Sequence, residues 1–330
     1  MIVIILIALA AGSASALMFV SPVAAFGSIA SALIALLLFC LAPLPLMVAA
    51  LGWGPIAATV GGIAAASILG VVLGLPSCIA FVVTVALPAW WLGHLALLGR
   101  AGSTAGSNNG AAPAAPVLEW YPVGRVLLWI AGFAILITIV GLLTLGADAE
   151  TITGTLRRSI QRILRARDPA SPNNAEQWLD AFVVILPASV VIAFMTTLTL
   201  NLWLAAKIAA TSGRLQRPWP DLTRAELPPM TLAALSATLA FCFVGGLLAM
   251  FAQIVTTGLI MAYAIVGFAV LHTLTLAVKS RGIWLTCTYV VVATFTWPIL
   301  AMMALGIADA VFGLRKSYLQ RTRPPPVPAA

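Results

Sequence analysis

The chain has 330 residues, of which 62% are hydrophobic and 8% charged, with a formal net charge of +8. Soluble domains carry about a quarter charged residues, so a soluble globular fold is excluded, and the mean hydropathy of +1.10 agrees. The apolar runs are continuous rather than alternating, which argues against a β-barrel. The positive charges sit in loops beside those runs, where the lipid bilayer rather than nucleic acid is the partner.

Runs of about 20 apolar residues cross a bilayer as helix. The pattern therefore predicts an all-α polytopic transmembrane helix bundle of about eight or nine spans, plus one basic amphipathic interfacial helix. The first span covers 2–20. No basic flank precedes it and no cleavage site leads from it into a polar chain, so it reads as a retained helix rather than a signal peptide. Ala8, Gly12 and Ala16 form one row of small residues along it, and Ala10 and Ala14 another. The second span covers 23–41. Pro43 and Pro45 then break the helix, since each lacks an amide donor, and 46–53 is a half-helix or a continuation of the second span.

The third span, 55–74, organises the rest. Gly54, Ala58, Gly62, Ala66, Gly70 and Gly74 recur every four residues. Small residues at that spacing let two helix backbones approach closely in a membrane, with a neighbour in the same chain as the default. The fourth span, 77–98, ends in Trp90, Trp91 and His94, which suit the headgroup region.

Residues 100–122 are rich in Gly, Ser, Asn, Ala and Pro and read as a flexible loop. It separates an N-terminal half, 1–99, from a C-terminal half, 123–312. Trp120, Tyr121 and Trp129 cluster at the start of the fifth span, 123–146. In 151–167, Ile152, Leu156, Ile160, Ile163 and Leu164 share a helical face. Arg158, Arg162 and Arg165 lie opposite, with Arg157 beside them. Such a helix lies in the headgroup plane; the alternative is a positive loop that only sets topology.

The sixth span, 178–205, contains Pro187 and Asn201. A basic loop follows with Lys207, Arg214, Arg217 and Arg224, and with Trp219 between two prolines. The seventh span, 230–252, contains Gly245–Gly246, and Gln253 falls in a turn before the eighth, 257–278, which carries His272. The ninth, 283–312, has a kink expected at Trp297–Pro298. From 313 to 330 the chain is basic and Pro-rich and is expected to lack order. The positive-inside rule leaves orientation open, because the loop charges divide almost evenly between the two sides.

No run matches a phosphate-cradling GxxxxGK[ST] loop, HExxH or GxSxG. Cys40, Cys78, Cys242 and Cys287 lie inside apolar runs without metal-ligand spacing. These readings point to a non-enzymatic protein with no cofactor and no metal. Polar groups inside spans are costly and call for a reason. Asn201 reads as a helix–helix hydrogen bond or a ligand contact, and His272 as an interface histidine or a cavity lining. Trp53 and Trp297 read as interface anchors or as platforms for a ligand. Asp309, six residues before Arg315–Lys316, reads as a structural partner of those cations on a helix end.

The segments AAGSASALMF, LAPLPLMVAALGWGPIAA, NLWLAAKIA with the following RPWPDL and ELP, and GIADAVFGLRK together resemble the YybS-like family of predicted bacterial multi-spanning membrane proteins, a domain of unknown function. That family is in turn distantly similar to the substrate-binding S subunits of energy-coupling-factor transporters. The resemblance implies a bacterial inner-membrane protein and a transport-related subunit that works with a separate ATPase and a coupling membrane subunit. It places the small residues Ala8, Ala10, Gly12, Ala14 and Ala16 where the coupling subunit docks. A non-catalytic membrane scaffold or assembly factor is the alternative.

Overall fold

Glycine and proline set the corners of the first part of the chain. Gly54 and Gly74 have φ of +93° and +90°, a region that side chains with a Cβ avoid, and Pro55 and Pro76 sit in the first turns of the helices that follow, where their missing amide costs nothing. The computed structural model describes residues 1–23, 28–101, 118–167, 175–220, 225–276, 278–295 and 297–321. Expectations about the middle of the 100–122 loop, Arg224, the side chains of Leu164 and Arg165, and the tail beyond 321 lie outside the described residues.

The helices are α1 (Ile2–Val20), α2 (Ile29–Leu41), α3 (Leu44–Trp53), α4 (Pro55–Leu73), α5 (Leu75–Phe81), α6 (Leu87–Leu97), α7 (Val123–Leu143), α8 (Ala149–Arg167), α9 (Ala175–Thr211), α10 (Met230–Phe241), α11 (Gly246–Leu274), α12 (Arg281–Phe295), α13 (Ile299–Phe312) and α14 (Leu314–Arg321). A wide π-helical turn, Val82–Ala86, joins α5 to α6. Two short strands, β1 (Gly99–Ala101) and β2 (Leu118–Trp120), pair antiparallel and close the base of the 100–122 segment. Among the described residues, seven helical segments are long and apolar enough to cross a membrane, with α2 and α3 forming one of them. α10, α12 and α13 are shorter apolar helices. The protein is a polytopic helical membrane bundle.

The chain forms two compact units. The first is Met1–Pro122 with Thr196–Pro220, and the second is Val123–Met195 with Asp221–Ala330. In the first, α3 is the most enclosed element, burying Leu46, Met47, Ala49, Ala50 and Leu51 among α1, α4 and α6. The segment 46–53 is thus a packed helix that continues the second span, Ile29–Trp53, restarted by Pro43 as N-cap and by Pro45 within the first turn. α1 crosses α4 where Gly12 meets Gly61 and Gly61 meets the Ala8 backbone.

The small-residue face of α4 is broader than the predicted stripe. Its buried positions are Ala57, Ala58, Gly61, Gly62, Ala65, Ala66 and Leu69, two adjacent rows. The 57–61–65 row takes α1. The predicted row faces α5 and the π-helical turn, with a Cβ on Gly62 falling 3.3 Å from the Ala86 Cβ and one on Gly70 falling 3.3 Å from that of Cys78. Gly54 and Gly74, expected on the stripe, instead cap the two ends of α4.

In the second unit α11 is central, packing against α7, α8, α10, α13 and α14. Here the predicted spans are redrawn. Gly245 and Gly246 have positive φ and break the helix, so α10 stops at Phe241 and α11 runs unbroken through Gln253. That residue was expected in a turn; it is helical and exposed. The expected kink at Trp297–Pro298 is a full break, with α12 ending at Phe295 and Pro298 serving as N-cap of α13. The tail expected to lack order from residue 313 begins with α14. Gly313, with φ +63°, turns the chain, and α14 is held by its second residue, Arg315, which is buried.

Candidate functional site

The polar groups of the second unit converge where α13 gives way to α14. The amide of Gly313 donates to the Asp309 carbonyl at 2.8 Å, ending α13. The Asp309 carboxylate then accepts from three groups of Arg315: the backbone amide to Oδ1 at 2.8 Å, Nε to Oδ2 at 2.9 Å, and Nη2 to Oδ2 at 2.6 Å. Arg315 Nη2 also donates to the Ala225 carbonyl at 2.9 Å. The two side chains are 6% and 3% exposed, so the charges meet out of water, where one without the other is strongly destabilising. The pairing expected between Asp309 and the following cations falls on Arg315. Lys316 instead reaches Glu226 at 3.2 Å, with both side chains exposed.

Beside this pair lies a cavity of about 290 Å³, lined by Glu226, Tyr263, Gly306, Asp309, Arg315 and Lys316 among others. The Tyr263 hydroxyl shares a 2.8 Å hydrogen bond with Thr231. Tyr263 and Gly306 are brought there by the crossing of α11 with α13: Gly267 meets the Met302 carbonyl, and Gly306 meets that of Tyr263. The walls thus combine two carboxylates, a guanidinium, an ammonium and a phenol with a small apolar seam, which suits a small polar solute better than a lipid tail.

The residues singled out for ligand contact fall elsewhere. In the first unit, Asn201 is 2% exposed. Its Nδ2 donates to the Cys40 carbonyl of α2 at 2.8 Å and to the Thr197 carbonyl at 2.7 Å, while Oδ1 is buried without a hydrogen-bond partner. It is a helix–helix bond. Trp53 lies under the Arg214 guanidinium, 5.5 Å from the ring centroid, one of three such cation–π contacts among the described residues. The others are Lys207 over Trp219 at 5.4 Å and Arg217 over Trp120 at 5.9 Å. Arg217 also donates to the Ala96 and Tyr121 carbonyls, and burial lowers its pKa. The basic loop is therefore fastened by tryptophan faces to the end of α3 at Trp53 and to β2 at Trp120, while its own Trp219 lies under Lys207 of α9.

In the second unit, His272 Nε2 lies 2.9 Å from the Tyr289 hydroxyl, and Arg281 Nη2 lies 3.5 Å from its Nδ1. Tyr289 in turn stacks on Phe268 at 5.1 Å. This cluster fastens α12 to α11. Trp297 is 68% exposed in the break before α13. None of these residues lines the Asp309 cavity.

On α1, Ala8, Gly12 and Ala16 are buried, Ala14 is half-buried and Ala10 is exposed. On α8, Ile152 and Leu156 are buried, Arg157 is half-buried and Arg158 and Arg162 are exposed. A second, apolar groove of about 400 Å³ runs along the Ala58, Gly62 and Ala66 row of α4 to Val82, Ala86 and Trp90.

Sequence reasoning missed Tyr263, Glu226 and the particular role of Arg315. Tyr263 carried a signal: it is one of four tyrosines in the chain and stands in the middle of a long apolar run. Glu226 carried none, since a glutamate in a loop is ordinary.

A family model described as predicted membrane protein (DUF2232) matches residues 23–310. No curated protein and no solved structure matches the chain.

Proposed function

The chain belongs to the DUF2232 family of predicted membrane proteins, and we propose that it acts as a non-catalytic, solute-binding subunit of a transport system in a bacterial inner membrane, driven by a separate ATPase. The observation that carries this reading is the cavity of about 290 Å³ beside the buried Asp309–Arg315 pair. Ionisable groups inside a membrane bundle are costly and mark solute pathways. The chain has no phosphate-cradling loop, so the energy for movement comes from a partner. The outward Ala10 and the half-buried Ala14 leave part of α1 free for a coupling membrane subunit, since small residues admit a close helix.

The test is purification of the tagged full chain from its host in mild detergent, with co-purified proteins identified by mass spectrometry. An ATPase pair and a coupling subunit in near-stoichiometric amount support the reading, and Ala10→Trp or Ala14→Trp then removes them. Recovery of envelope or assembly proteins without an ATPase overturns it in favour of a membrane scaffold. The exposed arginines of α8 favour that second reading, in which deletion of 151–167 abolishes recruitment.

A further inference from the structure

α8 is placed at the membrane boundary by the elements on either side of it. It starts six residues after the span α7 ends at Leu143. Arg157 Nη1 meets Asp180 Oδ1 at 3.3 Å, tying α8 to the first turns of α9. Trp178, two residues before Asp180, is 68% exposed, as a tryptophan at headgroup level is. α8 therefore lies at the depth where α7 leaves the bilayer and α9 joins it.

Its apolar face is used unevenly. Near the start, Ile152 and Leu156 are 0% and 8% exposed, on the side where α8 packs against α11. Near the end, Ile163 on the same face is 63% exposed. Arg158 and Arg162, one turn apart on the opposite side, are both exposed, and Arg158 is oriented by a 3.1 Å bond to Thr155 Oγ1. The outer half of α8 thus presents an exposed apolar residue, Ile163, and across the helix from it two guanidiniums, at headgroup depth. An anionic phospholipid matches both features: its phosphate accepts from the guanidiniums, as planar forks favour, and its acyl chain covers Ile163.

We infer that the outer half of α8 is a binding site for an anionic phospholipid, with Arg158 and Arg162 holding the headgroup phosphate. This site is separate from the Asp309 cavity and does not depend on the transport reading.

The full chain is reconstituted in nanodiscs of phosphatidylcholine containing a minority of phosphatidylglycerol, released, and the retained lipids are counted by native mass spectrometry. The wild type retains phosphatidylglycerol in preference to phosphatidylcholine. R158Q/R162Q lowers that preference roughly thirtyfold, the loss expected for two arginines near an anionic surface. R158K/R162K keeps most of it. Both variants change exposed side chains, and an unchanged melting temperature confirms that they fold. Equal enrichment in the wild type and R158Q/R162Q, or enrichment in neither, overturns the inference. So does displacement of phosphatidylglycerol by millimolar inorganic phosphate, which would assign the site to a free anion. Arginine-dependent capture of an acidic protein or RNA with lipid enrichment unchanged would overturn it as well.

Discussion

Gly12 of α1 and Gly61 of α4 meet backbone to backbone: a Cβ built on Gly12 runs into the Gly61 carbonyl group. In lipid there is no hydrophobic force to press helices together, so such close packing is a main source of their association. Gly61→Val forces apart two backbones that cannot give way, and is expected to cost about 3 kcal/mol, the upper end for overpacking. Gly62→Ala meets only the Ala86 Cβ at 3.3 Å, a neighbour that shifts slightly, and is expected to be close to neutral. Thermal melting of the purified protein in detergent compares the two; equal shifts would show that the α1–α4 crossing does not set stability.

That contrast marks what the sequence could and could not convey. The small-residue character of α4 was plain, because a glycine or alanine every four residues inside an apolar run has few other meanings. Which row packs was not, because Ala57, Gly61 and Ala65 form a second small row one position away, and a stripe of small residues reads the same on either. Up to α9 the spans were legible from length, except that the second, placed at 23–41, runs Ile29–Trp53 and takes in α3. Beyond α9, the Gly245–Gly246 pair lies inside the predicted seventh span, and only its positive φ reveals a break. The candidate cavity was half legible. Asp309 stood out as an acid in an apolar run, but its selection of Arg315 over Lys316 depends on the turn at Gly313, which directs residue 315 back to α13.

The Asp309–Arg315 pair predicts an asymmetry between single and double changes. Asp309→Ala removes the carboxylate that accepts three hydrogen bonds from Arg315, whose side chain is 3% exposed, and removing one member of a buried pair costs about 3–5 kcal/mol. The double change Asp309→Leu with Arg315→Met removes both charges and fills the space, and is expected to recover most of that loss. A double-mutant cycle by thermal melting measures the coupling. If Asp309→Ala alone costs less than about 1 kcal/mol, well short of a buried-pair loss, the pair does not anchor α14.

Asn201 links α9 to α2 as a donor, and its chemistry orders two substitutions. Asn201→Leu loses the bond to the Cys40 carbonyl but also removes the buried Oδ1 that has no partner. The net cost is expected near 1 kcal/mol, the scale of interhelical bonds in membranes. Asn201→Asp keeps the shape but points carboxyl oxygens at the Cys40 and Thr197 carbonyls, and is expected to be worse than leucine. Melting temperatures in the reverse order would show that Asn201 does not serve as a donor.

Asp148 makes the start of α8 sensitive to acid. Its Oδ1 accepts from the Thr151 amide at 2.9 Å and its Oδ2 from the Thr151 hydroxyl at 2.7 Å. These bonds, the backbone one first, hold its carboxyl below the ordinary 3.8. A carboxylate whose pKa is depressed by folding contributes stability that is complete above the unfolded value and is lost as pH falls through the folded one. The first turn of α8 is therefore expected to be intact at neutral pH and to loosen only below the ordinary carboxylate pKa. Asp148→Asn caps about as well without titrating, so it should hold the turn at acid pH, whereas Asp148→Ala should loosen it at every pH. Hydrogen exchange at the amides of residues 150–153, corrected for the intrinsic dependence of exchange on pH, reads this directly. The same acid-induced loosening in Asp148→Asn would mean that another group controls the start of the helix.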